Sequence, residues 1–375
     1  MVEAVAPPWP LGWSIAIFVL VAAVTVVASV RMATLGDVLA DRTGWGEAVF
    51  GAVFFGLATS LSGIVMTAVS AAADQPGLAY SNAVGGIAAQ TLALAVADFF
   101  HRRANLEHAA ASSANLLFCC LLIGMLSLAL MSGFGPDVTV LGVHPASVVL
   151  VAFYAGGLRL IHHEGAHPMW RAVHTRETVV DVPGGSGASG GAPAPGSGGG
   201  SAGSGPVDAL RADTPAGEGA GSTASLWAGF ALVGTVVAVG GWALAEAAVV
   251  VVESTGLSAG LVGAVAMGAV NALPETVAAV AAVRRGAMTL AVAAIIGGNS
   301  LDVLNLAVGD VFYRSGSLFH VAGTDELFLT CGALLMTVVL LAGLIVRQAR
   351  GWGRIGFEGV LLIAVYAGIV GVLAF

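Results

Sequence analysis

The chain contains no lysine, few charges of either sign and only three cysteines. Charged residues make up 10% of its 375 residues, whereas a water-soluble domain carries about 25%. Hydrophobic residues make up 57%, so we expect lipid to be the solvent for most of the chain. The basic residues are all arginine and form no cluster of the kind that binds nucleic acid, so no nucleic-acid partner is indicated.

The few cysteines and the N-terminal residues argue against a disulfide or zinc set and against a secretory signal. Cys119, Cys120 and Cys331 lie inside apolar runs, which indicates small buried hydrophobic residues rather than a disulfide or zinc set. The first ten residues include Glu3 and no arginine, whereas a secretory signal begins with a basic segment. We therefore expect residues 11–30 to be a retained first helix.

Ten apolar runs approach or exceed the roughly 20 residues that cross a hydrocarbon core. They lie near 11–32, 46–73, 77–99, 113–134, 138–161, 225–252, 257–283, 287–312, 326–347 and 355–375. A Gly/Ser/Pro-rich stretch separates the fifth run from the sixth and cannot bury a core. The sequence thus predicts an all-α membrane protein with a five-helix repeat at 1–163, a flexible linker at 164–224 and a second five-helix repeat at 225–375.

The arginines predict how these helices are oriented. Thirteen of them fall in the odd-to-even connections, at the end of the fifth helix or in the linker, and only Arg314 lies on the opposite side. The positive-inside rule makes the arginine-rich side cytoplasmic, with the linker inside and both termini outside a cell (inner or plasma) membrane. Because five helices per half is an odd number, the second half must be inverted relative to the first.

The two halves also match in sequence at a constant offset of 212 residues. Between 51–100 and 263–312, sixteen of fifty positions are identical without a gap. The informative matches are Gly85-Gly86 with Gly297-Gly298, and Asp98 with Asp310, which we expect to cap matching helix ends. Inverted repeats are typical of secondary transporters, whose sites lie near the midplane where the repeats meet.

The seventh predicted helix contains a carboxylate beside a proline. Asn271 and Glu275 are four residues apart and share a helix face, and Pro274 cannot donate to the carbonyl of Val270. A free carbonyl beside a carboxylate suits hard cations such as Na⁺ or Ca²⁺. A carboxylate in mid-membrane costs roughly 3 kcal/mol or more, so a buried Glu275 is expected to be functional, although a protonated residue that holds helices together is the alternative.

The eighth predicted helix contains the second candidate carboxylate. Asn299 and Asp302 are three residues apart and therefore neighbours on the helix surface. Gly297 and Gly298 precede them and allow another helix to approach closely.

The segments Gly268–Glu275 and Gly297–Asp302 resemble the α-repeats of the cation/calcium antiporter superfamily, which includes the sodium/calcium exchangers. In the first half, 58–63 and 85–90 correspond to them. The resemblance implies that helices two, three, seven and eight form the ion-binding core and that helices one and six lie across it. It also implies alternating access, in which Ca²⁺ or a related cation exchanges for Na⁺ or H⁺ at a shared site centred on Glu275.

The resemblance carried onto this chain predicts the ligands of that site. They are the metal-binding carboxylates Glu275 and Asp302, supported by Asn299, Asn271, Thr59, Ser60 and Gln90. The transported cations are the cargo, no cofactor is expected, and the remaining partner is the lipid bilayer, with no protein partner indicated.

Several residues depart from the family pattern. Gly63 replaces its first glutamate, Ser62 its proline and Ile87 its first asparagine, and Asn271-Ala272 replaces its second Thr-Ser pair. A site of charge −2 can balance one Ca²⁺, or two Na⁺ or protons. We therefore expect an altered stoichiometry or ion choice, and loss of calcium transport stays open.

Two other functions compete with transport. His163-Glu164-Gly165-Ala166-His167 fits the H-E-x-x-H pattern of zinc metalloproteases, in which two histidines bind zinc and the glutamate activates water. Pro168 follows at once, and no third ligand is evident, so a solvated segment at the membrane surface is the simpler interpretation. The second alternative, motivated by Gly63, is a transport-inactive relative that acts as a sensor or scaffold.

Overall fold

A computed structural model describes residues 10–43, 56–100, 105–110, 112–166, 222–284, 288–348 and 356–375. Within these ranges the chain is helical apart from turns and one isolated bridge between Val140 and Val143. Most of the predicted linker lies outside the described residues, so the domain division at 164–224 stays a prediction.

Six helices make up the described part of the first half: α1 Leu11–Thr43, α2 Gly56–Ala72, α3 Pro76–Phe100, the short α4 Leu106–Ala109, α5 Ser113–Ser132 and α6 Pro145–Ala166. The second half begins with α7 Thr223–Thr255 and the short α8 Ala259–Leu261. A π-helical turn, Val262–Met267, leads into α9 Gly268–Arg284, followed by α10 Met288–Asp302, α11 Leu304–Phe312, α12 Thr324–Val346 and α13 Phe357–Leu373.

Each predicted transmembrane segment corresponds to one helix, or to consecutive helices, in this description. By length and composition, seven helical stretches can cross a membrane, and two shorter helices, Ser60–Ala72 and Phe357–Leu373, are also apolar. The third predicted segment corresponds to α3, whose 25 residues extend over about 37 Å at the α-helical rise. The protein is therefore an all-α membrane protein. Its outer helices expose large apolar side chains such as Trp13, Leu20, Val27 and Leu232, as expected for surfaces that face lipid.

The long helices α1 and α7 pack along each other and against α2. Small residues allow this packing, because a Cβ at Gly241 of α7 would lie 2.9 Å from the carbonyl oxygen of Ser62 in α2. The core consists of α2, α3 and α9–α11, whose mutual contacts cross between the two repeats. Predicted helices one and six therefore contact helices two and seven, and their position across all four core helices stays a prediction.

Asp98 and Asp310, which the repeat offset pairs, have equivalent hydrogen bonds at opposite ends of the bundle. Asp98 accepts from the backbone N–H of Leu106, eight residues on, at 2.6 Å, and from that of Gly356 at 3.3 Å. Asp310 accepts from the backbone N–H of Leu318, also eight residues on, at 3.1 Å, and from that of His144 at 2.7 Å. His144 and Gly356 are themselves 212 residues apart. Each aspartate therefore ties its own repeat to the start of the last helix of the other, which confirms the expected capping role.

The described residues just after α12 contact those at the start of α4, so these two connections lie on the same side of the bundle. Asn105 Nδ2 donates to the carbonyl oxygen of Gln348 at 2.8 Å, and Arg347 donates to that of His108 at 3.0 Å. Glu107 of the short α4 is buried in this contact. Burial, with the charges of Asp98 and Glu358, raises the pKa of Glu107 well above its ordinary value of 4.5.

Candidate ion-binding site

Asp302 stands where the two repeats meet. Its Oδ1 accepts a hydrogen bond from Ser60 Oγ of α2 at 2.9 Å, and its Oδ2 accepts from Gln90 Nε2 of α3 at 2.7 Å. Asn305 Nδ2 of α11 approaches Oδ1 at 3.4 Å. The side chain is 2% exposed, so these donors substitute for water around a carboxylate deep in the bundle. Gln90 is the residue that the 212-residue offset pairs with Asp302, so equivalent positions of the two repeats are in direct contact.

Asp302 lies at a distortion of its helix. α10 ends at Asp302 and α11 begins at Leu304. Val303 between them keeps a right-handed helical backbone, and its N–H donates to the carbonyl oxygen of Asn299 at 3.2 Å, so the helix direction continues through this point.

Glu275 lies beside the same group of residues. It is 4% exposed on α9, one residue after Pro274, which the helix accommodates in its interior. A Cβ built at Gly298 would lie 3.8 Å from Glu275 Cγ and 3.6 Å from Gln90 Oε1, so Glu275 and Gln90 approach the same point of α10. Because Gly298 has only a hydrogen as its side chain, it leaves room for both Glu275 and Gln90.

Asn271, one helical turn before Glu275, faces the first repeat. Ser62 Oγ approaches Asn271 Oδ1 at 3.4 Å, and Asn271 Nδ2 has no hydrogen-bond partner within the described ranges. A Cβ built at Gly86 would lie 3.5 Å from Asn271 Cβ and 3.9 Å from Asp302 Oδ2. Asn271 and Asp302 are therefore on either side of Gly86.

Asn299 is fully buried, and its Nδ2 donates to Thr91 Oγ1 of α3 at 2.9 Å. Its Oδ1 and the Oε1 of Gln90 accept no hydrogen bond from the part of the chain that the structure describes. Amide oxygens in this situation are the hard donors that Na⁺ and Ca²⁺ bind. Thr59 lies in α2, but its side chain is outside the described part.

The structure therefore brings together five of the seven predicted ligands directly. Ser60, Gln90 and Asp302 are joined by hydrogen bonds, Glu275 lies beside Gln90, and Asn271 lies beside Asp302 across Gly86. Asn299 is attached instead to Thr91, on the adjoining face of α3. Sequence reasoning missed Thr91, Asn305 and Asn82, which donates to Thr67 Oγ1 at 2.8 Å and to the carbonyl oxygen of Gly63 at 3.1 Å. The available signal was a polar residue within an apolar run.

The chemistry of this group is that of an oxygen-lined cation site. Two buried carboxylates and several hydroxyl and amide groups lie on neighbouring stretches of α2, α3, α9 and α10, and no basic residue lies among them. In the described ranges, no three His, Cys, Asp or Glu side chains group as they do at a tightly held metal centre. A cation at this site would need amide, hydroxyl and backbone oxygens as well as the carboxylates, which suits a transported ion more than a resident one.

The fold is that of a membrane transport protein of two inverted repeats, with the candidate site between them. The family model of the sodium/calcium exchanger protein matches residues 13–160 and 225–375, so the chain belongs to that family. The resemblance to the cation/calcium antiporter superfamily is confirmed. The protein is a cation antiporter, a secondary transporter and not an enzyme. His163 and Glu164 lie at the end of α6, and His167 lies outside the described residues.

Solved structures support the same fold. The H⁺/Ca²⁺ exchanger CAX matches with a TM-score of 0.66 at 14% identity, over 96% of this chain and 85% of that one. YfkE matches with a TM-score of 0.59 at 14% identity, over 98% and 93%. The sodium-calcium exchanger NCX_Mj, soaked with Na⁺ and Sr²⁺, matches with a TM-score of 0.56 at 15% identity, over 96% and 99%. No curated protein matches the sequence.

Proposed function

We propose that the protein exchanges Ca²⁺, or a related divalent cation, for Na⁺ or H⁺ by alternating access through the site around Glu275 and Asp302. The observation that carries this proposal is the group of oxygens at the repeat interface, where Ser60 and Gln90 of one repeat hold Asp302 of the other. Solved relatives with this fold include a sodium-calcium exchanger and an H⁺/Ca²⁺ exchanger, which supports the same class of ions.

The coupling follows from the cost of charge in lipid. A site with two carboxylates crosses a hydrophobic barrier cheaply only when bound cations neutralise it. Cations of either species can neutralise the two carboxylates, but an empty site stays charged and cannot cross. The site must therefore carry one species in one direction and the other species back, so exchange is obligatory. Asp302 links both repeats, so a movement of one repeat against the other changes its coordination directly.

The orientation is also a proposal. The arginine-rich side would face the cytoplasm of a cell membrane, with the linker inside and both termini outside. Trypsin added to sealed inside-out vesicles should cut the linker at Arg171, Arg176 or Arg211, whereas in right-side-out vesicles the linker should stay intact and Arg314 is the arginine that faces the protease. Cleavage of the linker in right-side-out vesicles but not in inside-out vesicles would reverse the assignment.

The function is tested by radioactive calcium uptake into proteoliposomes with an outward gradient of Na⁺ or of H⁺. We expect uptake that requires one of the gradients and falls at least about 100-fold in Glu275→Gln, because the remaining site cannot balance a divalent ion. Glu253→Gln is the matched control, since Glu253 is exposed near the end of α7. Full activity in Glu275→Gln would contradict the site. Absence of uptake under both gradients, together with thermal stability that no cation changes, would favour the transport-inactive alternative.

A further inference from the structure

The 212-residue offset places Gly63 in the position equivalent to Glu275, so the repeat symmetry is broken at the residue that carries the charge. A Cβ built at Gly63 would lie 2.7 Å from Asn271 Oδ1 and 2.8 Å from Asn271 Cγ, and closer still to Nδ2. Atoms this close overlap, so a side chain at position 63 requires the Asn271 side chain to leave its present position.

We infer that Asn271 fills, with a neutral amide, the space in which a carboxylate equivalent to Glu275 would stand. It thereby holds the site at two carboxylates, and this charge determines the ion load. The inference rests on the proposed transport function.

The surroundings of Asn271 support this assignment. The side chain is 3% exposed and packs against Gly63 on α2 and Gly86 on α3, the two first-repeat helices of the site. Its Nδ2 has no hydrogen-bond partner in the described part of the chain, and Ser62 is the residue that approaches its Oδ1. A buried amide with an unpaired donor is costly to stability, so we assign Asn271 a role in the charge of the site rather than in holding the helices together.

The consequence is a specific stoichiometry. Two acidic residues, Glu275 on α9 and Asp302 at the end of α10, and no basic residue belong to the group of described side chains that lines the site. One divalent cation or two monovalent cations neutralise this site equally. If only the neutral, loaded site crosses the membrane, one divalent ion exchanges for two monovalent ions and no net charge moves.

The first test measures calcium uptake into proteoliposomes at zero potential and at an imposed inside-negative potential. Uptake by the wild type should be independent of the potential. One net charge per cycle would change the accumulation ratio by about 50-fold per 100 mV. A dependence of that size in the wild type overturns the inferred ion load.

The second test adds the missing carboxylate. Gly63→Glu should lose uptake by about tenfold or more, because Asn271 occupies the required space, and Gly63→Glu with Asn271→Ala should recover part of it. The recovered transport should now require a monovalent cation on the same side as Ca²⁺, since one Ca²⁺ leaves the third carboxylate unbalanced. Equal activity of Gly63→Glu with and without Asn271→Ala, or recovered transport by the double variant that needs no accompanying monovalent cation, overturns the inference.

The third test needs no transport. Gly63→Ala should lower the melting temperature by about 3 °C or more, and the loss should shrink when Asn271→Ala is present. Gly156→Ala on α6 is the matched control, because a Cβ there meets nothing within 4 Å, and it should lower no melting temperature. Absence of calcium uptake by the wild type would contradict the proposed function. The melting temperatures of Gly63→Ala, Asn271→Ala and the double variant would still test the contact between the two residues, and additive effects of the two substitutions would overturn it.

Discussion

The two repeats contribute different kinds of structure to the same site. In the first repeat, the described α2 contains no proline, α3 runs unbroken past Gln90, and the side chains they supply, Ser60 and Gln90, are neutral. In the second repeat, Pro274 lies inside α9 and α10 ends at Asp302. The carboxylates occur where the helices are irregular, because irregular backbone offers extra carbonyl oxygens, whereas the regular helices supply hydroxyl and amide donors that hold a carboxylate in place.

The largest effect should come from substituting, one at a time, the paired residues Asp302 and Gln90. Asp302→Asn removes a charge from the second repeat and should reduce calcium uptake by about 100-fold or more. Gln90→Leu removes one donor to that charge from the first repeat and should reduce uptake by about tenfold. Uptake and melting temperature should be measured together, so that a folding defect is recognised. A greater loss of transport in Gln90→Leu than in Asp302→Asn would show that the first repeat dominates binding.

Substitution of the paired glycines Gly85 and Gly297 by alanine should change the stability of the protein by different amounts. A Cβ at Gly85 would lie 2.9 Å from the carbonyl oxygen of Ala264, whereas a Cβ at Gly297 would meet Phe118 at an ordinary 3.7 Å. Gly85→Ala should therefore cost about 1–3 kcal/mol through overpacking, while Gly297→Ala should be neutral or stabilising by up to about 1 kcal/mol because alanine favours helices. Thermal unfolding in detergent measures both. Similar losses at the two positions would mean that the close helix approach is not confined to the first repeat.

The capping aspartates Asp98 and Asp310 allow the two repeats to be compared at the ends of the bundle. Asp310 accepts an additional hydrogen bond from Ser147 Oγ at 2.8 Å, whereas Asp98 lies near the buried Glu107 and Glu358. Asp310→Ala should cost about 1.5–3 kcal/mol. Asp98→Ala should cost less, because removing its charge also relieves repulsion. A larger loss of melting temperature in Asp98→Ala would contradict this order.

The smallest effect concerns the pH dependence of stability at Glu107. Its folded-state pKa is raised above the ordinary 4.5, so folding favours the protonated carboxyl. The stability that this group contributes is fully present below the unfolded pKa and is lost as the pH rises through the folded pKa. Glu107→Gln should therefore raise the melting temperature by about 2–4 °C at about pH 8 and change it little at about pH 4. A gain in melting temperature that is larger at acid pH would contradict a raised folded-state pKa of Glu107. Glu253→Gln, at an exposed carboxyl, should leave the pH dependence unchanged.

The sequence by itself determined the class of the protein. The low charge and the ten apolar runs require helices in lipid, because backbone groups there must be satisfied within the segment. The arginine bias and the 212-residue offset predicted inverted repeats, and the spacing of Asn271 with Glu275 and of Asn299 with Asp302 predicted helix faces for the candidate site. These are local properties, which periodicity and composition express directly.

Only the tertiary structure decided which residues touch. The hydrogen bonds of Asp302 to Ser60 and Gln90 join residues more than 200 positions apart, and no local pattern distinguishes Gly85, which contacts backbone, from Gly297, which does not. The sequence marked Gly63 as a missing carboxylate, but the overlap with Asn271 that fills its place depends on how α2 and α9 pack. Contacts between repeats arise from packing at atomic separations, and a one-dimensional pattern of polar and apolar residues does not contain those distances.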